Sequence, residues 1–176
     1  LDDALALAGR GNPTRVQPFA LNITQPTDFG TLYSPTEVTA LCDVAHRHGL
    51  RVHMDGARFA NAVAALGCSP ADLTWRCGVD VLSLGATKNG AINAEAVVVF
   101  DPALAREIPF RMKRGGQVLS KARFVSAQLE RYVADDRWLE RAGLANSHAA
   151  SLARQLAGLP GVALVAPAEV NMLFVR

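Results

Sequence analysis

Apolar residues fall along this chain in two rhythms: short continuous runs, and longer stretches in which they recur every three or four positions. FALNI (19–23), LRVHM (50–54), VDVLSL (79–84) and AEAVVVF (94–100) are runs of the first kind and predict strands. The last two are continuous enough to read as strands buried on both faces. The second rhythm is clearest after TQPTDFGTLY (24–33), where Ser34 is an N-cap, Pro35 takes the first helical position and Glu37 closes a capping box. Val38, Leu41, Cys42 and Ala45 follow at helical spacing until Gly49. Asp55-Gly56 is expected to break the strand before it, and ARFANAVAAL (57–66) has helix-forming composition. Ser69-Pro70 with Asp72 predicts a short helix, and Asp101-Pro102 begins another. Residues 117–156 read as two helices joined near Asp135-Asp136 and ended by Pro160-Gly161.

Strands alternating with helices at these intervals predict an α/β layered domain with a largely parallel sheet. VALV (162–165) and NMLFV (171–175) look like strands of a new unit. The expected division is therefore a large domain through residue 134, then a connecting helix and the start of a small α/β domain over 135–176. The chain opens on a helix-like LDDALALAG without Met and stops inside an apolar run, so it is expected to be an internal piece of a longer protein.

Composition narrows the function. Half of the 176 residues are hydrophobic and 19% are charged, with no low-complexity tract, which excludes a disordered chain. A formal charge of +2 with interspersed signs gives no footprint for nucleic acid. Cys42, Cys68 and Cys77 form neither a CxxC pair nor a zinc-ligand spacing with a histidine, so a reducing compartment and no metal are expected. No signal-peptide pattern opens the chain and no apolar run approaches the roughly 20 residues that span a bilayer, so a cytoplasmic location is expected.

In open α/β sheets ligands bind beyond the carboxyl ends of the strands. Two such ends carry polar residues directly after an apolar run: HMDGAR (53–58) and SLGATKNG (83–90). One crossover separates them, so Asp55 and Lys88 can face one crevice, as an amine and a carboxylate must around a carbonyl-bearing pyridine cofactor. Taken singly, Lys88 reads equally as a solvated loop lysine and Asp55 as a helix cap. Arg58 can fork onto a substrate carboxylate or pair with a neighbouring acid. Ser83 and Thr87 offer hydroxyls to a phosphate or serve the turn. Lys113, Gly115-Gly116 and Lys121 form a basic patch, suited to a phosphate or carboxylate or to a solvated helix surface. His46 and His48 do not face each other on a helix, and His148 has no acidic cluster near it in sequence. His53, on the strand face shared with Asp55, is expected to be packed and hydrogen-bonded. GATKNG lacks the glycine spacing of a phosphate-binding P-loop.

ITQPTDFGTLY (23–33), HMDGARFANA (53–62), GVDVLSLGATKNGAINAEAVVVF (78–100) and SKARF (120–124) together resemble the threonine aldolase family, in particular its low-specificity bacterial branch. The resemblance implies an aspartate-aminotransferase-like fold (fold type I), pyridoxal 5'-phosphate as cofactor and a homotetramer of close dimers. It implies Lys88 as the lysine that carries the cofactor, Asp55 as the acid on its pyridine nitrogen and Arg58 as a ligand of the substrate's α-carboxylate. Lys121 and Lys113 fall where the family has basic residues that reach cofactor or substrate, sometimes in an adjoining subunit. The implied reaction is aldol cleavage of L-threonine or L-allo-threonine to glycine and acetaldehyde. The phosphate-cradling loop and the histidine stacked on the ring would lie upstream of residue 1, and a further arginine beyond residue 176. The alternatives are a β-eliminating lyase or aminotransferase with the same cofactor, or a non-catalytic α/β binding module.

Overall fold

A computed structural model describes the backbone of residues 1–176 and every side chain except that of Leu7. Four strands, β1 (Ala20–Thr24), β2 (Arg51–Gly56), β3 (Val81–Gly85) and β4 (Glu95–Val99), form one sheet in the order β1-β2-β3-β4. The first three run parallel and β4 runs antiparallel to β3. Around them lie α1 (Asp2–Leu7), α2 (Pro35–Arg47), α3 (Phe59–Leu66), α4 (Pro102–Arg114), α5 (Arg123–Val133) and α6 (Arg137–Leu156). The largely parallel α/β sheet predicted from the alternating pattern is present. Among the described residues no helix is long and apolar enough to cross a membrane.

Local chemistry explains the helices that link the parallel strands. At the start of α2 the Glu37 N–H donates to Ser34 Oγ and the Ser34 N–H donates to Glu37 Oε2 at 2.8 Å, with Pro35 in the first turn. Its inner face, Val38, Cys42 and Ala45, is wholly buried against the sheet residues Val52 and Met54. Val38, Val52 and Met54 each contribute about 1.5–3 kcal/mol when fully buried. Burial also pushes the Cys42 thiol up to about 12, with the nearby Cys77, Asp80 and Asp43 adding to it, so it is no nucleophile at neutral pH. On α3, buried Asn61 donates to Asn146 Oδ1 at 2.9 Å while Asn146 Nδ2 donates to the Asn61 carbonyl at 2.9 Å. This reciprocal pair clamps α6 onto α3 and leaves neither amide unsatisfied.

Several elements differ from expectation. Asp55 and Gly56 continue β2, because their backbone still pairs with β3 opposite Ser83 and Leu84. Residues 69–74 keep the capping hydrogen bonds of Ser69 and Asp72 but form turns leading to a single 3₁₀ turn at Trp75–Cys77. β4 is an edge strand and Val97 is 59% exposed, so it is not buried on both faces. The helix expected from residue 117 begins at Arg123. Residues 162–165 and 171–175 are not strands of a sheet but pair antiparallel through one bridge, Leu164 with Val175. That pair returns to the 29–32 loop: Glu169 Oε2 accepts from the Leu32 N–H at 2.6 Å and the Phe29 and Phe174 rings meet edge-on at 5.9 Å.

One buried carboxylate ties the far end of the sheet together. Asp80, at the entrance to β3 and 8% exposed, accepts from the Val52 N–H at 2.7 Å, from Arg51 at 3.2 Å and pairs with His46 at 3.0 Å. Replacing Asp80 with Ala strands the Val52 N–H and removes an acceptor from His46 and Arg51, the latter keeping its pair with Asp101 at 2.8 Å, and should destabilise the protein by about 1–3 kcal/mol. Urea unfolding of the full-length variant measures this; an unchanged midpoint would show that the cluster does not hold β2 to β3.

Candidate active site

Three parallel strands end side by side, and their register sets what they present. Thr24 pairs with Asp55 and Asp55 with Ser83. Because β4 runs the other way, its first residue Glu95 meets Gly85 at this same end. Alternation along β2 sends Val52, Met54 and Gly56 into the core and leaves His53 and Asp55 half-buried on the opposite face.

Two glycines let the strand ends close. A Cβ on Gly85 would lie 2.7 Å from the Ala57 Cα and carbonyl oxygen, and one on Gly56 would lie 2.8 Å from the Ser83 carbonyl. Backbone therefore packs on backbone, which only glycine allows. The result places the turn bearing Lys88 next to the turn bearing Asp55 and Arg58.

Among the described residues Arg58 and Lys88 are left without a side-chain partner and Asp55 keeps one oxygen free. Asp55 Oδ1 accepts from the Ala57 N–H at 2.9 Å, while Oδ2 takes no hydrogen bond among the described residues. Arg58 caps α3 through its backbone, and its half-buried guanidinium makes no ion pair or hydrogen bond among the described residues. The alternative of a structural salt bridge thus finds no acid to pair with. Lys88 sits exposed in the 3₁₀ turn Thr87–Asn89, its amine also free of partners among the described residues.

Neutral side chains hold the surrounding backbone. Asn89 Nδ2 donates to Tyr132 Oη at 2.8 Å and to the Trp138 carbonyl at 2.7 Å, fixing the residue after Lys88 to α5 and α6. Burial pushes the Tyr132 phenol above its usual range, so it remains a neutral partner for Asn89. On the other side, fully buried Gln25 donates to the Tyr33 carbonyl at 2.7 Å and accepts from the Tyr33 N–H at 3.1 Å. The Gln25 N–H donates to the Asp55 carbonyl at 2.9 Å, so this loop also braces the strand end. The bracing roles of Gln25 and Asn89 escaped the sequence reading; Gln25 gave only the signal of a polar residue close behind an apolar run, and Asn89 only its place beside Lys88.

His53 is packed and hydrogen-bonded, as its strand position suggested. Its Nδ1 meets Asn22 Oδ1 and its Nε2 meets Ser83 Oγ at 2.8 Å. Both ring nitrogens of His53 are thus engaged, one by the Asn22 side-chain amide and one by the Ser83 hydroxyl. The Thr87 hydroxyl, by contrast, is exposed and has only a long 3.4 Å bond to the Ala94 carbonyl. Lys113 and Lys121 lie outside the crevice, on and just after the exposed end of α4, and their ammonium groups make no contact with the rest of the chain among the described residues. Lys121 has a positive φ of 58°.

The pattern of the beta-eliminating lyase family matches residues 5–176. The chain is 46% identical over 160 residues to a low specificity L-threonine aldolase of Pseudomonas aeruginosa, covering 91% of this chain and 46% of that one. It is 44% identical over the same length to the low specificity L-threonine aldolase of Pseudomonas sp. strain NCIMB 10558, with the same shares covered. It thus spans about half the length of the curated relatives it matches. The solved threonine aldolase of Leishmania major superposes with a TM-score of 0.87 at 25% identity, over 99% of this chain and 50% of that one. The architecture is accordingly that of fold type I.

If the contact of Gly85 with Ala57 holds the crevice shut, Gly85→Ala should force the two turns apart. The expected cost is about 1–3 kcal/mol, the usual range for overpacking a rigid contact. Thermal unfolding of the full-length variant checks it, and a variant as stable as its parent would mean that the Ala57 backbone yields freely.

Proposed function

The chain belongs to the beta-eliminating lyase family, and from that premise we propose that it is the central part of a pyridoxal-phosphate-dependent L-threonine aldolase. The reaction is cleavage of the Cα–Cβ bond of L-threonine or L-allo-threonine to glycine and acetaldehyde. The single observation that carries this reading is the set of Asp55, with one oxygen free, and Arg58 and Lys88, with no side-chain partner among the described residues, at adjoining strand ends. Relatives named L-threonine aldolase at 46% and 44% identity favour aldol cleavage over β-elimination or transamination.

The residues fit the cofactor. An exposed amine and a carboxylate with one oxygen free of internal bonds are what its aldehyde and its ring nitrogen require. Pyridoxal phosphate, when bound, supplies the electron sink for the pair released at Cα. Lys88 is the residue whose amine would hold the cofactor by its aldehyde. Asp55 keeps a proton on the ring nitrogen through its free oxygen. Arg58 forks onto the α-carboxylate and so turns the Cα–Cβ bond toward the orientation in which it breaks. Thr87 offers a hydroxyl to the cofactor phosphate from the same turn; Ser83, expected to do likewise, serves His53.

Lys113 and Lys121 fit a role in an adjoining subunit's site. Their segment also exposes Phe110, Val118, Leu119 and Phe124, all at least 57% accessible, which supports a homo-oligomeric assembly through this arm. Residues 135–176 would then be the connecting helix and the first part of a small domain, in a cytoplasmic enzyme of threonine breakdown and glycine supply.

Two substitutions in the full-length protein test this. Lys88→Ala should remove the visible absorbance of the lysine-bound cofactor and its trapping by borohydride, and abolish acetaldehyde release. A borohydride-trapped cofactor persisting in that variant would reassign the lysine. Arg58→Lys keeps the charge but loses the planar fork, so kcat/KM with threonine should fall at least about tenfold, equivalent to about 1.4 kcal/mol. Arg58→Ala should fall further, with both variants melting as the parent does because the guanidinium has no internal partner to lose. Normal kinetics in Arg58→Lys would count against a carboxylate fork.

A further inference from the structure

A cavity of about 430 Å³ lies between the turn after Lys88 and the helix pair α5–α6, and nothing in the reading above uses it. Gly90 and Ile92 form its floor, and Arg131, Tyr132, Arg137 and Arg141 form its walls. Asp135 is the one acid in the lining, and it is shared: Arg131 Nη1 reaches its Oδ2 at 2.9 Å and Arg137 Nε reaches the same oxygen at 3.4 Å. Arg141 has no carboxylate within 4.0 Å among the described residues. It lies against Gly90, where even a Cβ would come within 3.1 Å of its Nη1.

Two guanidinium groups therefore share one carboxylate, and a third, that of Arg141, lines the same space of ligand size with no acid of its own among the described residues. Like charges gathered this way repel unless an anion sits among them, and guanidinium forks match tetrahedral phosphate oxygens. The cavity exceeds what a bare ion fills, and Ala91, Ile92 and Ala127 give the rest of it an apolar wall. We propose that this cavity binds a phosphate group carried by a small carbon skeleton, held by Arg141, Arg137 and Arg131, as an effector site separate from the crevice of Asp55 and Lys88.

The site has a mechanical link to Lys88. Asn89 is bonded to α5 and α6 at Tyr132 and Trp138, and the Ile92 and Asn93 N–H groups donate to Gln128 Oε1 of α5 at 2.9 and 3.3 Å. A ligand drawing Arg131 and Arg141 together stiffens the turn between these anchors. Cofactor release should slow in consequence, and by linkage bound cofactor should tighten the anion. This coupling rests on Lys88 as the cofactor lysine, whereas the binding itself does not.

The test uses full-length holoenzyme, in which the cofactor's own phosphate is already seated. Inorganic phosphate and glycerol 3-phosphate are titrated by calorimetry against sodium chloride at equal ionic strength and pH. Saturable binding at one site per chain is expected, weakened at least tenfold in Arg141→Gln and in Arg137→Gln, unaffected in Arg58→Gln and partly restored in Arg141→Lys. Tighter binding of the ester supports the small-skeleton ligand; equal or weaker binding of the ester overturns that part and leaves a site for free phosphate. Binding no better than chloride, or unchanged in both glutamine variants, overturns the site. Cofactor release followed by absorbance should slow at least threefold with saturating ester. An unchanged rate with intact anion binding overturns the coupling alone, and a failed Lys88 assignment would show separately as a trapped cofactor in Lys88→Ala.

Discussion

The contact of the β3 end with the turn after β2 is the constraint on which the site depends. Gly85 lies against the Ala57 backbone so closely that no side chain fits, and Gly56 is packed in the same way against Ser83. Parallel pairing alone would align Asp55 with Ser83 and still leave the following turns free to splay. The glycine contact removes that freedom, so the turn that bears Lys88 lies beside the turn that bears Asp55 and Arg58. Asn89 and Gln25 then fix the two flanks through hydrogen bonds to backbone carbonyls and N–H groups. Preorganisation here comes from uncharged groups, which leaves the charged ones available.

Two carboxylates on neighbouring strands show this division of labour. Asp80 stands at the entrance of β3, and its oxygens are taken up by a backbone N–H, an arginine and a histidine. Asp55 stands at the exit of β2 and has only one oxygen engaged. A partly buried carboxylate left half-satisfied costs stability, and natural sequences carry such costs where chemistry requires them. One end of the sheet is tied together by its carboxylate, and the other leaves a carboxylate oxygen free.

Much of this was legible because local signals agreed with one another. Ser34, Pro35 and Glu37 marked the start of α2 to the residue, since a capping box needs only neighbours in sequence. HMDGAR and the TKNG lysine follow neighbouring strands, as their spacing suggested, because strand exits place loops on a common edge. What failed were features decided by tertiary context. Asp55-Gly56 carries turn chemistry, yet pairing with β3 keeps it extended. AEAVVVF is as apolar as any buried strand, but nothing in its composition reveals that no further strand lies beside it. Ser69 and Asp72 form their capping bonds while the chain declines to propagate a helix, since the segment must turn back to enter β3. The freedom of Arg58 depended on whether an acid lay nearby in space, which sequence spacing does not disclose.

The antiparallel setting of β4 carries a consequence for how the chain assembles in time. Closing a loop costs entropy that rises with its length. Parallel β1–β2 and β2–β3 must each wait for an intervening helical segment to be gathered in, whereas β3 and β4 are joined by residues 86–94 alone and form a hairpin. That hairpin is the least costly pairing in the sheet, and its loop is the segment that carries Lys88. Folding that follows the order of loop closure shapes the lysine-bearing loop first, and the more distant strand carrying Asp55 is then recruited onto a template already in place.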